Sequence, residues 1–538
     1  MYDLLIKNVS IIDGSGKPAY IGHIASVNGK LVCSNVDVNA EAKTVLDGTG
    51  LKLSPGFIDS HSHADEVMCE NVEGYELCKI NQGITTEVCG QCGASLFPIN
   101  HKFLKEHESS LASFVNEEHM KLVPDFTDFS HFLDYACGLP KGQNFVFNIG
   151  HGTLRTYAMG LANRKPTSEE METMKTMLRE AMEHGCFGLS SGLIYTPSVY
   201  SDTEELIELC KVIAPYGGVY ATHMRNEAAY VVDAVKEAIQ IAETAGVRLV
   251  ISHHKVCGKA NWGLADETLR LIHEAIGRGV DILIDQYPYE ATQTYMNVII
   301  PPKYFAEGMD QILLHLKDPA WRSQVKAEIT DPSSTFENQW KNCGGFGGIL
   351  VLSSPNAPEA CGLTIAEYAR KLGKDEFDTY FDLLLENKGV GLCAYFCIDE
   401  KEIQKIYMDP NTVPGTDCII TIDNSPCHPR TYGTFVRTLS HFQKECGLLS
   451  LEAAIHKQTY QTAKGWGIKN KGLIKDGFDA DLVLFNYESL KDTPTFANGR
   501  QLCEGIEAVI VNGEIAYRNK KLTGNYPGKC ILRDGTSL

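Results

Sequence analysis

Apolar and polar positions change rhythm twice along this chain. Residues 2–12 roughly alternate, the period of a strand with one covered face, and Asp13-Gly14-Ser15-Gly16 then turns the chain. A similar rhythm returns near residue 472, with strand-like runs at 480–485 and 506–513. The second of these ends in Asn512-Gly513, a hairpin signal. Between the flanks lie short apolar runs at 56–60, 84–89, 145–150, 187–191, 218–222, 249–252, 282–286 and 418–422. Amphipathic stretches such as 168–184, 203–214, 227–245 and 266–278 separate most of them. Runs of this kind predict strands buried on both faces, with helices covering them. Eight β/α units predict an α/β fold, a TIM-like (β/α)8 barrel over residues 55–465. Residues 1–54 and 466–538 are expected to form one small β-sandwich domain from both termini. The spacing breaks only between the last two strands, over residues 287–417. There, about 291–348 reads as an insertion near the active site.

Several of these runs end in residues that bind metals. His61 and His63 follow Pro55-Gly56-Phe57-Ile58-Asp59, and residues two apart on a strand face the same way. His223 follows 218–222, and His253-His254 follows 248–252, again at strand ends where barrels keep their functional groups. The competing reading for each histidine is a buried, hydrogen-bonded core residue. Adjacent residues on a strand face opposite sides, so only one of His253 and His254 is expected to reach a metal.

Cys92, in Thr-Thr-Glu-Val-Cys-Gly-Gln-Cys-Gly (85–93), sharpens this pattern. It could be a small core residue, or Cys89 and Cys92 could form a redox pair. A thiolate among imidazoles instead suits zinc, a borderline-soft cation. Asp423 follows the last apolar run, where a carboxylate could take a proton from a metal-activated water and pass it to a leaving nitrogen. The turn-like context Asp-Asn-Ser-Pro offers a capping role as the plainer alternative.

Composition narrows the setting. A net charge of -19 argues against nucleic acid or an anionic membrane as partner. The 18 cysteines come without a leader-like start or an apolar run of about 18 residues, so reduced thiols and a cytoplasmic location are expected. Oligomeric state is not read from the sequence.

Together these residues resemble the D-aminoacylase (N-acyl-D-amino-acid deacylase) family of the amidohydrolase superfamily, almost end to end. The resemblance is carried by Pro-Gly-Phe-Ile-Asp-Ser-His-Ser-His (55–63), Gln-Gly-Ile-Thr-Thr-Glu-Val-Cys-Gly-Gln-Cys-Gly (82–93) and Gly-His-Gly-Thr-Leu-Arg (150–155). It continues through Gly-Leu-Ser-Ser-Gly-Leu-Ile-Tyr (188–195), Thr-His-Met-Arg-Asn-Glu (222–227), Ile-Ser-His-His-Lys-Val-Cys-Gly-Lys (251–259) and Tyr-Pro-Tyr (287–289). His-Pro-Arg-Thr-Tyr-Gly-Thr-Phe-Val-Arg (428–437) and Glu-Gly-Ile-Glu-Ala-Val-Ile-Val-Asn-Gly (504–513) complete it.

The resemblance implies zinc-dependent hydrolysis of a small-molecule N-acyl-D-amino acid. It implies one tightly held zinc on Cys92, His223 and His253, and a second, weakly occupied position at His61 and His63. It makes Asp423 the catalytic acid, and Lys255, Tyr287 and Arg430 the groups that hold the substrate's carboxylate and scissile carbonyl. Relatives that act on cyclic amides bridge two metals with a carboxylated lysine on the fourth strand, and residues 187–193 contain no lysine. Hydrolysis of a cyclic amide or an N-carbamoyl group, or a non-catalytic binding protein on the same scaffold, are the alternatives. The chain departs from the family pattern after Tyr289 and between Asp423 and His428, both near the expected substrate.

Overall fold

The computed structural model describes residues 1–65, 73–111, 121, 125–420 and 425–538. Eight parallel strand positions recur in chain order: Phe57–Asp59, Ile84–Cys89, Asn144–Phe147 continued by Ile149–Gly150, Gly188–Gly192, Val219–His223, Arg248–Ile251, Ile282–Gln286 and Thr412–Pro414. Each pairs in parallel with the next. After the eighth, the Asp417 N–H donates to the His61 carbonyl at 2.8 Å, and Cys418 bridges Ser62 in parallel, so the pairings return to their start. Nearly every residue on these strands is buried, which explains their unbroken apolar runs.

The helices between them begin and end where local chemistry directs. Thr167 and Glu170 form a capping box ahead of Ser168–Glu183, and Asp202 caps Thr203–Ile213. The helix expected from residue 227 begins at Val231 instead. The Asn226 side chain accepts from the N–H groups of Ala228 and Tyr230, both at 2.9 Å, and holds 226–230 in a turn that leaves Glu227 facing the strand ends.

The eighth strand differs from expectation. Thr412–Pro414 supplies it; of the apolar run at 418–422, Thr421 and Ile422 lie outside the described residues and Cys418–Ile420 form no strand. Cys418, Ile419 and Ile420 are buried by packing, and of these only Cys418 is bridged to the first strand's extension. A three-residue strand ending in proline gives little periodic signal. The inserted segment also runs further than expected. Ala291–Tyr295 pairs with Leu392–Phe396, which pairs with Ile349–Ser353. This antiparallel sheet extends the unit to Phe396, over its own apolar core.

Strands from both termini share one sheet, in the order Lys521–Leu522, Glu514–Arg518, Ile506–Val511, Leu482–Phe485, Lys52–Pro55, Tyr2–Ile11, Tyr20–Val27 and Lys30–Val32. Asn512 and Gly513 turn the Ile506–Val511 hairpin with φ of 48° and 86°, as the Asn-Gly pair requires.

A buried ionic network fixes the first strand to the segment after the eighth. Lys79 Nζ donates to Asp59 at 2.7 Å, Thr416 Oγ1 at 2.7 Å and Ser62 Oγ at 3.1 Å, and lies 3.0 Å from Glu87. Asp59 also accepts from Thr416 N at 2.8 Å and Oγ1 at 2.6 Å. Burial works against the ammonium, but the nearby Asp59 carboxylate and other acidic groups raise the Lys79 pKa well above its ordinary value. Lys79→Met is expected to cost about 3–5 kcal/mol of stability, because it leaves two buried carboxylates without their cation. Denaturant unfolding that differs from wild type by less than about 1 kcal/mol would contradict this.

Candidate metal centre

Backbone strain and close approach place Cys92. The chain leaves the second strand at Cys89, and Cys92 adopts a left-handed φ of 52°, unusual for a side-chain-bearing residue. Its carbonyl lies 2.1 Å from where a Cβ on Gly192 would stand, so the fourth strand must end in glycine there. The Cys92 loop therefore fills the space at the end of the fourth strand.

Three imidazoles surround the Cys92 sulfur. Sγ lies 3.3 Å from His61 Nε2, 3.3 Å from His253 Nε2 and 3.9 Å from His223 Nδ1. A tetrahedral zinc with sulfur at about 2.3 Å and nitrogen at about 2.0 Å separates its ligands by about 3.5 Å. The observed spacings bracket that value. Cys92, His223 and His253 form one donor set; His61, His63, Cys92 and Asp417 form another, with donor atoms within 4.8 Å of one another in each. The thiol belongs to both sets.

Supporting contacts fix the imidazoles as metal sites require. His253 Nδ1 lies 2.9 Å from Glu227 Oε1, turning Nε2 toward Cys92. The His253 N–H donates to Asp285 at 2.6 Å, and Asp285 lies 3.3 Å from His61 Nδ1. His253 has a φ of 36°, again a strained backbone. His254 faces away, with Nε2 2.9 Å from Thr268 Oγ1, so of the doublet it is His253 that reaches the Cys92 cluster. Cys89 is buried in the hydrophobic core, and both it and Cys92 are free thiols. Burial opposes ionisation of Cys92, yet charge on His61 and His253 and hydrogen bonds from His223 and His253 hold its pKa well below the thiol's ordinary value. The donor set thus fits a thiophilic divalent cation.

The carboxylate the structure brings to this cluster is Asp417, which the sequence reading did not single out. Its Oδ1 lies 3.5 Å from His61 Nε2 and 3.4 Å from His63 Nε2, and its Oδ2 accepts from Arg430 at 2.8 Å. Burial would raise its pKa, but Arg430, with His253, His63 and His61, holds it well below the usual carboxylate range. Asp423 lies outside the described residues. Glu227 and Asp285 also went unassigned in the sequence, although Glu227 stands in the 222–227 motif and Asp285 in the seventh strand.

A cavity of about 930 Å3 opens on the cluster, reaching Cys92, His223, His253, Asp417, Lys255 and Tyr287. Lys255 pairs with Glu227 at 2.6 Å, and the Tyr287 hydroxyl has no hydrogen-bond partner among the described residues. Arg430 is fully buried behind Tyr287, 4.6 Å from its ring centroid, and donates to the Gln293 carbonyl at 3.2 Å as well as to Asp417. Among the described residues no helix is long and apolar enough to cross a membrane.

No family model matches the sequence. The D-aminoacylase of Alcaligenes xylosoxydans xylosoxydans is 34% identical over 533 residues, spanning 99% of this chain and 98% of that protein. The chain belongs to the D-aminoacylase family. It is a metal-dependent amidohydrolase acting on linear amides, which sets aside the cyclic-amide and non-catalytic readings. A solved D-aminoacylase with a binuclear metal centre, described as activated by one metal and attenuated by a second, matches at 30% identity and a TM-score of 0.82, covering 98% of this chain and 99% of that one. An N-acyl-D-glutamate deacylase from Bordetella bronchiseptica, complexed with zinc and a phosphonate mimic of the tetrahedral intermediate, matches at 28% identity and a TM-score of 0.82, covering 99% of each chain.

Two substitutions test the centre. Cys92→Ala is expected to abolish tight zinc retention, read as metal content after gel filtration; retention of one zinc per chain would rule out the thiolate as a ligand. Glu227→Gln should weaken zinc by about 10- to 100-fold, since it removes the charge that orients His253. Chelator competition checks this, and an unchanged affinity would contradict it.

Proposed function

We propose that the cavity carries out zinc-dependent hydrolysis of N-acyl-D-amino acids, releasing a carboxylic acid and a D-amino acid, with Asp417 as the proton carrier. The observation that carries this reading is the Asp417 carboxylate beside the Cys92 and histidine donors, in a chain of this family. The architecture we infer is a (β/α)8 barrel at 55–465, interrupted by the unit at 291–396, with a β domain built from 1–54 and 466–538. The alternating parallel strands and the sheet shared by both termini support it.

Zinc held by Cys92, His223 and His253 would polarise the acyl carbonyl and increase the acidity of a bound water. His61 and His63, with Cys92, would hold a second, weaker metal. Asp417, ionised over the working pH range and fixed by Arg430, accepts the proton of the attacking water and delivers it to the departing nitrogen. Arg430 acts here by orienting Asp417 and backing Tyr287. Lys255 and the Tyr287 hydroxyl, both on the cavity wall, hold the substrate's α-carboxylate and carbonyl. Lys255 also neutralises Glu227, so its ammonium stays in place beside His253 Nδ1 at 2.8 Å.

Two measurements test the reading. The zinc-loaded enzyme should cleave N-acetyl-D-amino acids faster than their L enantiomers; a preference for the L series would overturn the stereochemical assignment. Asp417→Asn should lower kcat by about 10²- to 10⁴-fold with zinc content unchanged, while Asp423→Asn stays within a few-fold of wild type. The reverse order would transfer the proton-carrying role to Asp423.

A further inference from the structure

The motif at 150–155 and the loop after the fourth strand take no part in the chemistry above, yet both line the cavity. Their buried side chains are joined end to end. Arg155 Nη1 donates to Glu205 Oε1 at 2.7 Å, His151 Nε2 lies 2.9 Å from the same carboxylate, and His151 Nδ1 lies 3.0 Å from Ser198 Oγ. A proton on Nε2, directed at Glu205, leaves Nδ1 to accept from the Ser198 hydroxyl. This chain of contacts fixes the 194–200 loop from behind. On its outer side the loop is tied to the inserted unit. The hydroxyls of Tyr195 and Thr294 lie 3.1 Å apart, and the Tyr200 hydroxyl donates to the Pro302 carbonyl at 2.8 Å. The two segments thus make one preformed wall.

Apolar side chains run along the cavity side of that wall, between polar ones such as Thr196, Asn297 and Lys303. Leu161, Ile194, Val199, Val298, Phe305 and Met309 line it and are each only half-buried. Its position relative to the reacting groups decides what it receives. Lys255, Tyr287 and Asp417 follow the sixth, seventh and eighth strands, so the amine half of the substrate occupies that arc. The 194–200 loop follows the fourth strand and carries the wall to His223, away from that arc, and the inserted unit meets it there through Thr294 and Pro302; along this loop the acyl half would extend. The Tyr195 ring packs edge-on against His223, 5.0 Å between centroids, so the wall begins beside the donor set.

We propose that this wall is a channel for an aliphatic acyl chain of medium length, so that the preferred substrates are N-acyl-D-amino acids with acyl groups well beyond acetyl. The proposal rests on the hydrolytic reading above and names the substrate class of that site. A buried methylene contributes about fourfold in transition-state affinity. Across a series from N-acetyl to N-decanoyl on one D-amino acid, kcat/KM should rise by up to about that factor per methylene until the channel is filled, on the order of 1,000-fold or more for the six added methylenes of octanoyl. A flat or falling series overturns the proposal. Val199→Trp, which narrows the wall, should lower the octanoyl-to-acetyl ratio by at least about 10-fold; an unchanged ratio in a folded variant also overturns it. Calorimetric binding of octanoate and acetate to the zinc-loaded wild type separates the two readings without turnover. If acetyl substrates are cleaved but octanoate binds no tighter than acetate, the channel falls and the hydrolytic reading stands. If no N-acyl-D-amino acid is cleaved but octanoate binds at least about 10-fold tighter, the hydrolytic reading falls and the apolar channel stands.

Discussion

The approach of one thiol to three imidazoles is the constraint on which the rest of the site depends. Cys92 can stand between His61, His223 and His253 only because its backbone takes a left-handed turn and the fourth strand ends in Gly192, against which its carbonyl rests. Strain at Cys92 and His253 persists because surrounding contacts over-determine both residues: Gly192 beneath one, and Glu227 and Asp285 around the other. The thiol is common to both donor sets. The Cys92 loop fills the space at the end of the fourth strand, so one thiol faces both groups of histidines.

A second level of organisation keeps this arrangement from drifting. Asp59, Lys79, Glu87 and Thr416 lie directly beneath the site and join the first two strands to the segment that carries Asp417. Buried charges of this kind contribute little net stability when fully paired, but they specify geometry strongly, since any displacement leaves one of them uncompensated. The same segment receives Arg430, so the orientation of Asp417 is set from below by the lysine network and from the side by the guanidinium. Above the site, hydrogen bonds from Tyr195 and Tyr200 attach the inserted unit to the fourth-strand loop. The catalytic face is rigid beneath and shaped from above.

Much of this was legible before any coordinates. Seven of the eight strands follow apolar runs, and His61, His63, His223 and His253 stand at the ends of three of those strands, just beyond two and at the last residue of the third. Cys92 was legible too, because a thiol among histidines suits zinc better than it suits a core. The eighth strand was not. Thr412–Pro414 is too short to show a period, whereas the neighbouring run at Cys418–Ile420 is apolar because it is buried, not because it pairs as a strand. The acid sought after the longer run was Asp423, which lies outside the described residues, whereas the described carboxylate at the histidines is Asp417. The choice between His253 and His254 needed a left-handed backbone that strand alternation does not anticipate. Glu227 and Asp285 gave no sequence signal beyond their motif and strand, because their role is set by contacts from other strands.

Zinc-edge X-ray absorption on the enzyme loaded with one zinc per chain reads the bond between Cys92 and the metal itself. A thiolate ligand gives one sulfur scatterer at about 2.3 Å together with nitrogen or oxygen scatterers near 2.0–2.1 Å, and the sulfur contribution is lost in Cys92→Ser. A first shell of nitrogen and oxygen alone in the wild type, with no sulfur, would contradict thiolate ligation.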